Sequence, residues 1–237
     1  MGSASVDPVK NDQGKVVESR CSLTDITLRK QAETEQKHFA EQLQTSLLQT
    51  IRAIALTIEK RDPYTAGHQE RVAQLAVKIG EELGLDDYRL KGLHLGAMIH
   101  DIGKISVPAE ILNRPGRLEP ALFTILKAHP QIGFDIIKSI DFPWPLADMV
   151  LHHHEHLDGS GYPDGLKGDE ITLESRILAV ADVVEAMASH RPYRPALGID
   201  IALQEVEEGK GNFYDPEVVD CCRRIFREQE PPWRDSV

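Results

Sequence analysis

Apolar residues recur every three or four positions across residues 28–60, with Glu and Gln between them. Because an α-helix turns once in about 3.6 residues, this spacing predicts a long helix with one narrow apolar stripe. The stripe consists of Ala40, Leu43, Leu47, Ile51, Ile54 and Ile58. It predicts a parallel coiled coil, and hence a homodimer through this N-terminal helix. For the second half of the helix, packing on the chain's own domain is an equal alternative.

Beyond Gly67 the pattern predicts successive helices with buried Leu, Ile, Val and Ala. The first begins at His68 and stops near Gly84, and the second covers residues 86–102, where Gly103 is expected to end it. Another helix is predicted after Pro130, with Ile132, Phe134, Ile136 and Ile137 buried. Further helices are predicted over residues 108–112, 119–127, 145–155, 172–189, 199–208 and 216–228. A Gly-rich loop covers residues 158–165. No strand alternation appears after residue 30, so the predicted fold class is all-α.

The N-terminal residues follow a different pattern. Residues 7–10 and 15–26 are predicted to form two short strands around a turn that contains Gly14. A lone hairpin is marginal in water, so this segment is interpreted as part of a larger sheet. A polar, disordered arm is the alternative.

Composition narrows the function classes. The 237 residues are enough for one well-buried domain and a smaller piece. The net charge of −11 argues against a nucleic-acid polymer as partner, although a small phosphorylated ligand held by metals and local cations remains compatible. Three cysteines without metal-type spacing indicate a reducing, cytoplasmic environment. No apolar run approaches the ~20 residues of a membrane span, so no membrane contact is predicted.

The candidate chemistry lies in histidines and aspartates near predicted helix ends. They are His68, His100, Asp101, His129, His153, His154 and Asp182. Adjacent His100 and Asp101 can offer an imidazole and a carboxylate to one metal, or a carboxylate that bridges two. Such a nitrogen and oxygen set suits iron, manganese or zinc, and a metal pair suits phosphate hydrolysis. For Asp182, a buried ion pair with Arg176 is the alternative.

Several motifs occur in a fixed order. They are Asp62-Pro-Tyr-Thr-Ala-Gly-His68, His100-Asp101-Ile-Gly-Lys104, His129-Pro130, His153-His154-Glu155, Asp158-Gly-Ser-Gly161-Tyr162-Pro163, Ala181-Asp182 and Arg191-Pro-Tyr-Arg194. Over roughly residues 50–228 the chain resembles the HD-GYP family, whose members hydrolyse cyclic di-GMP. The resemblance implies an HD-type helical bundle preceded by a linker helix and a hairpin remnant.

The resemblance also implies two divalent metal ions per chain, iron or manganese in preference to zinc. The first ion would be held by His68, His100, Asp101 and Asp182. Asp101 would bridge to a second ion held by His129, His153 and His154. The implied catalytic residues are Asp101, Lys104 and Asp62, of which Asp62 would position the water or the ligand. The implied substrate-binding residues are Lys104, Tyr162, Arg191 and Arg194.

Two departures from the family pattern bear on the reaction. Members with three metals carry Glu four residues before the first His, where this chain has Tyr64, so two metals are expected. Linear pGpG then becomes the expected main product, with GMP as the further product. His190 stands where Asp is commoner, and a solvent-facing role is expected for it.

The predicted organisation has three parts. Residues 1–27 resemble the end of a PAS sensor domain, through Thr24-Asp25-Ile26-Thr27 and the following Arg29 to Glu33. Residues 28–60 form the linker helix, and residues 61–237 form the catalytic domain. The expected function is a cyclic di-GMP phosphodiesterase, using a hydroxide activated by two metals, as the output domain of a bacterial signalling protein with an N-terminal sensor. The alternatives are a catalytically weak cyclic di-GMP sensor or interaction module, and a phosphohydrolase of another nucleotide.

Overall fold

A computed structural model describes residues 2–60, 67–114, 116, 118–189 and 197–228. Its contacts divide the chain into two compact units, Met1–Gln49 and Thr50–Val237. The predicted boundaries at residues 27 and 60 stay predictions. Within the described part of the chain, none of the helices combines the length and the apolarity that a membrane span needs.

The N-terminal unit begins with a hairpin of β1 (Gly2–Lys10) and β2 (Val16–Asp25). The strands pair antiparallel, and Asn11 Oδ1 closes the turn by accepting the backbone N–H groups of Gln13 and Lys15 at 3.1 and 3.0 Å. The predicted first strand began only at Asp7. The small residues before it, Ser3, Ala4 and Ser5, carry too little hydrophobic alternation to indicate a strand.

Helix α1 (Thr27–Glu59) contributes its last residues to the second unit. Ile51, Ala55 and Ile58 are buried in the core of that unit, whereas Leu43, in the first unit, is 56% exposed. In the second half of the stripe, Ile51 and Ile58 therefore pack on the chain's own domain, whereas Ile54 is 40% exposed. The coiled coil of the first half stays a prediction.

The second unit is built from short helices, as the fold class predicted. They are α2 (His68–Glu82), α3 (Asp87–Ile99), α4 (Ala109–Leu112), α5 (Pro120–Leu126), α6 (His129–Ile137), α7 (Leu146–His152), α8 (Leu173–Ala188), α9 (Ile199–Glu208) and α10 (Pro216–Glu228). Two 3₁₀ turns, Ile102–Ser106 and Gly168–Glu170, connect them. The all-α class with a preceding hairpin is confirmed.

Helix α2 lies at the centre of this unit, because it packs against α3, α8 and α10. Leu75 and Ile79 of α2 are fully buried, and Leu93 of α3 and Leu178 of α8 are buried with them in one core. The 3.6-residue pattern found this face of α2.

The prediction that Ile136 is buried was wrong, since its side chain is 41% exposed on α6.

The predicted helix end at Gly103 was also wrong. Helix α3 ends at Ile99, and Gly103 lies within the following 3₁₀ turn. A Cβ at this position would overlap the backbone carbonyl of His129, so glycine lets the start of α6 approach the turn. The glycine brings His129 beside Asp101 instead of freeing Lys104.

We expect Ile58→Ala to lower the free energy of unfolding by about 2–5 kcal/mol, because Ile58 is buried in the core. Ile54→Ala, one turn earlier and 40% exposed, should change it by about 0.5 kcal/mol or less. Urea unfolding followed by circular dichroism measures both. Equal losses would contradict the packing of α1 described here.

Candidate metal centre

The ends of several helices deliver imidazoles to one buried region. His68 is the first residue of α2, and His129 is the first residue of α6. His100 follows the last residue of α3, and His153 follows the last residue of α7. Asp101 and His154 come next in the chain, and Asp182 projects from the middle of α8.

The first cluster contains His68, His100 and Asp101, whose ligand-type atoms lie within 4.8 Å of one another. Asp182 joins it, with Oδ1 at 3.2 Å from Nε2 of His68 and 3.8 Å from Nε2 of His100. The alternative pairing of Asp182 with Arg176 was wrong, because Arg176 binds Asp215 at 2.7 Å.

The second cluster contains His129, His153 and His154, again with ligand-type atoms within 4.8 Å of one another. The Nε2 atoms of His129 and His153 are 3.2 Å apart. The lone pairs of two ring nitrogens at this separation repel one another unless a proton or a metal ion lies between them. The cluster therefore suits a cation.

Asp101 lies between the two clusters. Its Oδ2 is 3.5 Å from Nε2 of His100 and 3.9 Å from Nε2 of His68. Its Oδ1 is 3.4 Å from Nε2 of His129. One carboxylate thus presents a different oxygen to each cluster, an arrangement that suits a carboxylate bridging two metal ions.

The imidazoles are held by their Nδ1 atoms. Those of His100, His129 and His153 lie 2.7, 2.8 and 2.8 Å from the backbone carbonyls of Ala97, Leu126 and Val150. A carbonyl accepts only from an N–H, so Nδ1 is protonated and Nε2 keeps the lone pair that a metal uses.

The first cluster also fits a metal by its unsatisfied atoms. Nε2 of His68 and Nε2 of His100 are buried, and neither has a hydrogen-bond partner among the described residues. The nearby Asp182 oxygen at 3.2 Å is off the direction of a hydrogen bond from His68. Buried polar atoms are normally paired, so these two nitrogens suit coordination to a cation.

Glu185 is a residue that the sequence analysis missed. It is fully buried on α8, and its carboxylate binds Nδ1 of His68, Nε of Arg71 at 2.6 Å and Oγ of Ser189 at 2.5 Å. It lies three positions after Asp182 and therefore shares its helix face. A Glu inside the apolar run of α8 was the signal available in the sequence.

Electrostatics separate the two clusters. Burial alone would lower the pKa of His68, but the charges of Glu185 and Asp182, together with the hydrogen bond to Glu185, raise it to about 9. Burial opposes ionisation of Glu185, yet the His68 charge lowers the pKa of that carboxyl to about 2. Burial likewise works against the charge on Asp101, and Lys104 and His100 nevertheless hold its pKa well below its usual value. The carboxylates of the first cluster therefore stay ionised, and an ionised carboxylate is the form that binds a cation.

The second cluster is neutral. Burial lowers the pKa of His129 to about 4, and burial with the neighbouring His129 lowers the pKa of His154 to about 3. The pKa of His153 is also lowered, first by burial and then by His154. Neutral imidazole is the form that coordinates a metal, so the burial of these rings prepares them for that role.

Lys104 and Tyr162, which were predicted to contact the substrate, lie at the edge of the clusters. Lys104 Nζ lies 2.6 Å from Oδ2 of Asp101. The Tyr162 ring packs on the His154 ring with centroids 4.9 Å apart. Lys127, absent from the sequence-based set, places its Nζ 4.7 Å from the Tyr162 ring centroid. Its position two residues before His129 was the available signal.

The Gly-rich loop is fixed by a buried carboxylate. Glu155 accepts backbone N–H groups from Asp164, Gly165 and Leu166 at 2.7, 3.0 and 3.2 Å. His152 also binds the loop, through Asp164 at 3.0 Å, and its other ring nitrogen contacts Asp148 at 2.9 Å. These bonds give the loop that carries Tyr162 a defined position beside His154.

Other residues of the predicted site lie outside the described residues. They are Asp62, Tyr64, His190, Arg191 and Arg194. Their predicted roles stay predictions.

Fold and site together define a helical protein with buried His and Asp clusters that can hold metal. A sequence model of the HD domain matches residues 52–218, and the chain belongs to this family. The HD-GYP assignment made from the motifs is confirmed, whereas the PAS-like origin of the N-terminal residues stays a prediction.

Relatives support the same assignment. The chain is 37% identical over 229 residues to the cyclic di-GMP phosphodiesterase response regulator RpfG of Xanthomonas campestris, covering 91% of this chain and 60% of that protein. It is 41% identical over 167 residues to 3'3'-cGAMP-specific phosphodiesterase 3 of Vibrio cholerae, covering 70% of this chain and 36% of that protein. The chain thus spans less than two thirds of either relative.

A solved structure shares the fold. Bd1817, an HD-GYP-type protein from Bdellovibrio bacteriovorus, aligns with a TM-score of 0.58 at 20% identity. The alignment covers 68% of this chain and 51% of that one. At this identity the likeness concerns the fold alone.

We expect Glu185→Gln to weaken metal binding about 10–100-fold, because the amide holds His68 less firmly in the ligand orientation. Glu174→Gln is the matched control, since Glu174 lies on the same helix and pairs with Arg89 at the surface. Titration of metal-free protein against a chelating dye measures both affinities. Equal affinities in the two variants would contradict the role given to Glu185.

Proposed function

We propose that this chain is a metal-dependent phosphodiesterase that hydrolyses cyclic di-GMP. The observation that carries the proposal is Asp101, whose two carboxylate oxygens face two separate histidine clusters. A pair of metal sites that shares a carboxylate is an arrangement used for phosphodiester hydrolysis. The names of the relatives supply the substrate class.

The proposed metal ligands fall into two sets that meet at Asp101. One ion is assigned to His68, His100, Asp101 and Asp182. The other is assigned to Asp101, His129, His153 and His154. Mixed imidazole and carboxylate ligands support iron or manganese, with zinc as a further candidate.

The chain's own residues would orient the substrate. Two divalent ions, when bound, supply Lewis acidity and lower the pKa of a water molecule. Lys104 lies beside Asp101, so its ammonium group can donate a hydrogen bond to a phosphate oxygen that binds next to that carboxylate. Tyr162, packed on His154, offers an aromatic surface for a nucleobase at the edge of the centre.

The proposal also includes roles for Asp62, Arg191 and Arg194, which rest on the family motifs. Asp62 would position the water or the ligand, and the two arginines would bind phosphate. Because Tyr64 replaces a metal-binding Glu of three-metal members, we propose two ions and linear pGpG as the main product, with GMP formed more slowly.

A second candidate function is hydrolysis of another cyclic dinucleotide. The relative that is specific for 3'3'-cGAMP favours it, since that protein is 41% identical to this chain. A sensor that binds cyclic di-GMP without turnover is a third candidate.

The proposed context is a cytoplasmic signalling protein. Residues 1–27 would be the end of a PAS-like sensor domain, residues 28–60 the linker helix and residues 61–237 the catalytic output domain. The exposed side chains of α1 support a role for its first half in pairing with a second copy.

The decisive experiment is turnover of cyclic di-GMP by metal-loaded protein, with the products identified by chromatography. We expect pGpG from the unmodified chain. Asp101→Ala and His100→Ala should lose at least about 100-fold in rate, because a lost metal ligand removes several kcal/mol of transition-state stabilisation. His94→Ala is the control, because His94 lies on α3, the helix that ends just before His100, and belongs to no motif.

Each alternative has its own outcome in this experiment. Tight binding without turnover at full metal loading would replace the hydrolase by a sensor. Faster turnover of 3'3'-cGAMP than of cyclic di-GMP would favour the second candidate.

The proposed dimer is tested by light scattering. We expect a dimer from the unmodified chain and a shift toward monomer in Leu43→Glu, because Leu43 is an exposed member of the stripe and a charge there opposes helix pairing. Gln42→Glu adds a charge beside the stripe and should leave the dimer intact. A monomer at high concentration of the unmodified chain would rule the dimer out.

A further inference from the structure

The last residue of α1 is a buried carboxylate directed at the start of α2. Glu59 is 7% exposed. Its Oε2 accepts the backbone N–H of Gly67 at 3.1 Å, and its Oε1 accepts the backbone N–H of Gln69 at 3.2 Å. Both oxygens are therefore occupied by the backbone on either side of His68.

These two bonds replace an ordinary helix cap. The first N–H groups of a helix have no partner within the helix, and the residue before it commonly supplies one. Gly67 precedes α2 in a left-handed conformation, with φ of 73°, and has no side chain for this task. The first turn of α2, which begins at His68, is consequently capped by a side chain of α1.

Gln69 extends the connection from Glu59 to Asp101, another proposed ligand of the first cluster. Its backbone binds Glu59, and its side-chain Nε2 donates to Oδ2 of Asp101 at 3.3 Å. This oxygen is the one that faces His68 and His100. Gln69 itself is buried, at 2% exposure.

The end of α1 is held in place on the opposite side by packing. Ile51, Ala55 and Ile58 are buried in the core, so Glu59 projects from an anchored helix. A further polar contact between α1 and α2, Arg52 with Glu70 at 3.7 Å, is exposed and contributes little.

We propose that Glu59 is a positioning residue that ties the end of α1 to the His68, His100 and Asp101 cluster. Through it, the position of α1 sets the affinity of this cluster for its metal ion. The His129, His153 and His154 cluster has no such connection among the described residues. The inference rests on the two-ion site proposed above.

The test is a metal titration of metal-free protein with Mn²⁺ or Co²⁺, in Glu59→Gln and in the control Glu70→Gln. Glutamine keeps the shape of Glu59 but places an N–H donor against a backbone N–H. We expect one of two ions to bind about 10–100-fold more weakly in Glu59→Gln, with the other unchanged. Glu70→Gln removes the same charge from the exposed contact between α1 and α2 and should bind both ions as the unmodified chain does.

A purely structural cap would lower the thermal stability of metal-free Glu59→Gln and leave the two affinities in their original ratio. The ratio of affinities, and the visible spectrum of the Co²⁺ form, therefore distinguish the two roles. Equal weakening of both ions, or no weakening, would overturn the proposal. If Glu59→Gln loses its helical circular dichroism, Gln69→Met is measured instead. We expect Gln69→Met to weaken the binding of one ion selectively. Equal weakening of both ions would again overturn the proposal.

The titration needs no turnover. Loss of the proposed function would appear as absent hydrolysis with normal two-ion binding. Failure of this inference would appear as an unchanged affinity ratio in a protein that still hydrolyses cyclic di-GMP.

Discussion

Carboxylates and imidazoles are concentrated in an interior that water scarcely reaches, and the structure depends on how their charges are compensated. Asp101 and Glu185 are 2% and 0% exposed, and a buried charge is costly unless it is paired. Lys104 pairs with the first, while His68 and Arg71 pair with the second. The Nε2 atoms of His68 and His100 stay unpaired among the described residues, so a cation bound by them would stabilise the folded state.

Helix ends supply the geometry for a physical reason. The last four carbonyls of a helix have no partner within it. Ala97, Leu126 and Val150 lie in the last turns of α3, α5 and α7, and their carbonyls orient His100, His129 and His153. The same unsatisfied groups that end each helix thus fix the imidazole orientation that a metal requires.

Close approach of the backbone completes the centre. Gly103 lets the start of α6 lie against the turn after Asp101, and Glu155 gathers three backbone N–H groups of the loop that carries Tyr162. Neither feature contributes a ligand. Both decide how far apart the ligands and the loop can be.

The sequence by itself determined the helical class, the principal helices and the identity of the clustered residues, because apolar periodicity and short motifs are local properties. The 3.6-residue pattern found the buried face of α2, and the His-Asp motifs named the residues that meet. It could not determine whether Ile58 packs within the chain, since a stripe fits either partner. It missed Glu185 and misjudged Gly103, because both act through contacts with distant segments.

Only the tertiary structure decided which oxygen of Asp101 faces which cluster, and which carboxylate holds His68. It also decided that Glu59 caps a helix other than its own. These are relations between groups far apart in the chain, and no local pattern encodes the distance between them. The residue types were fixed by sequence, and their convergence was fixed by packing.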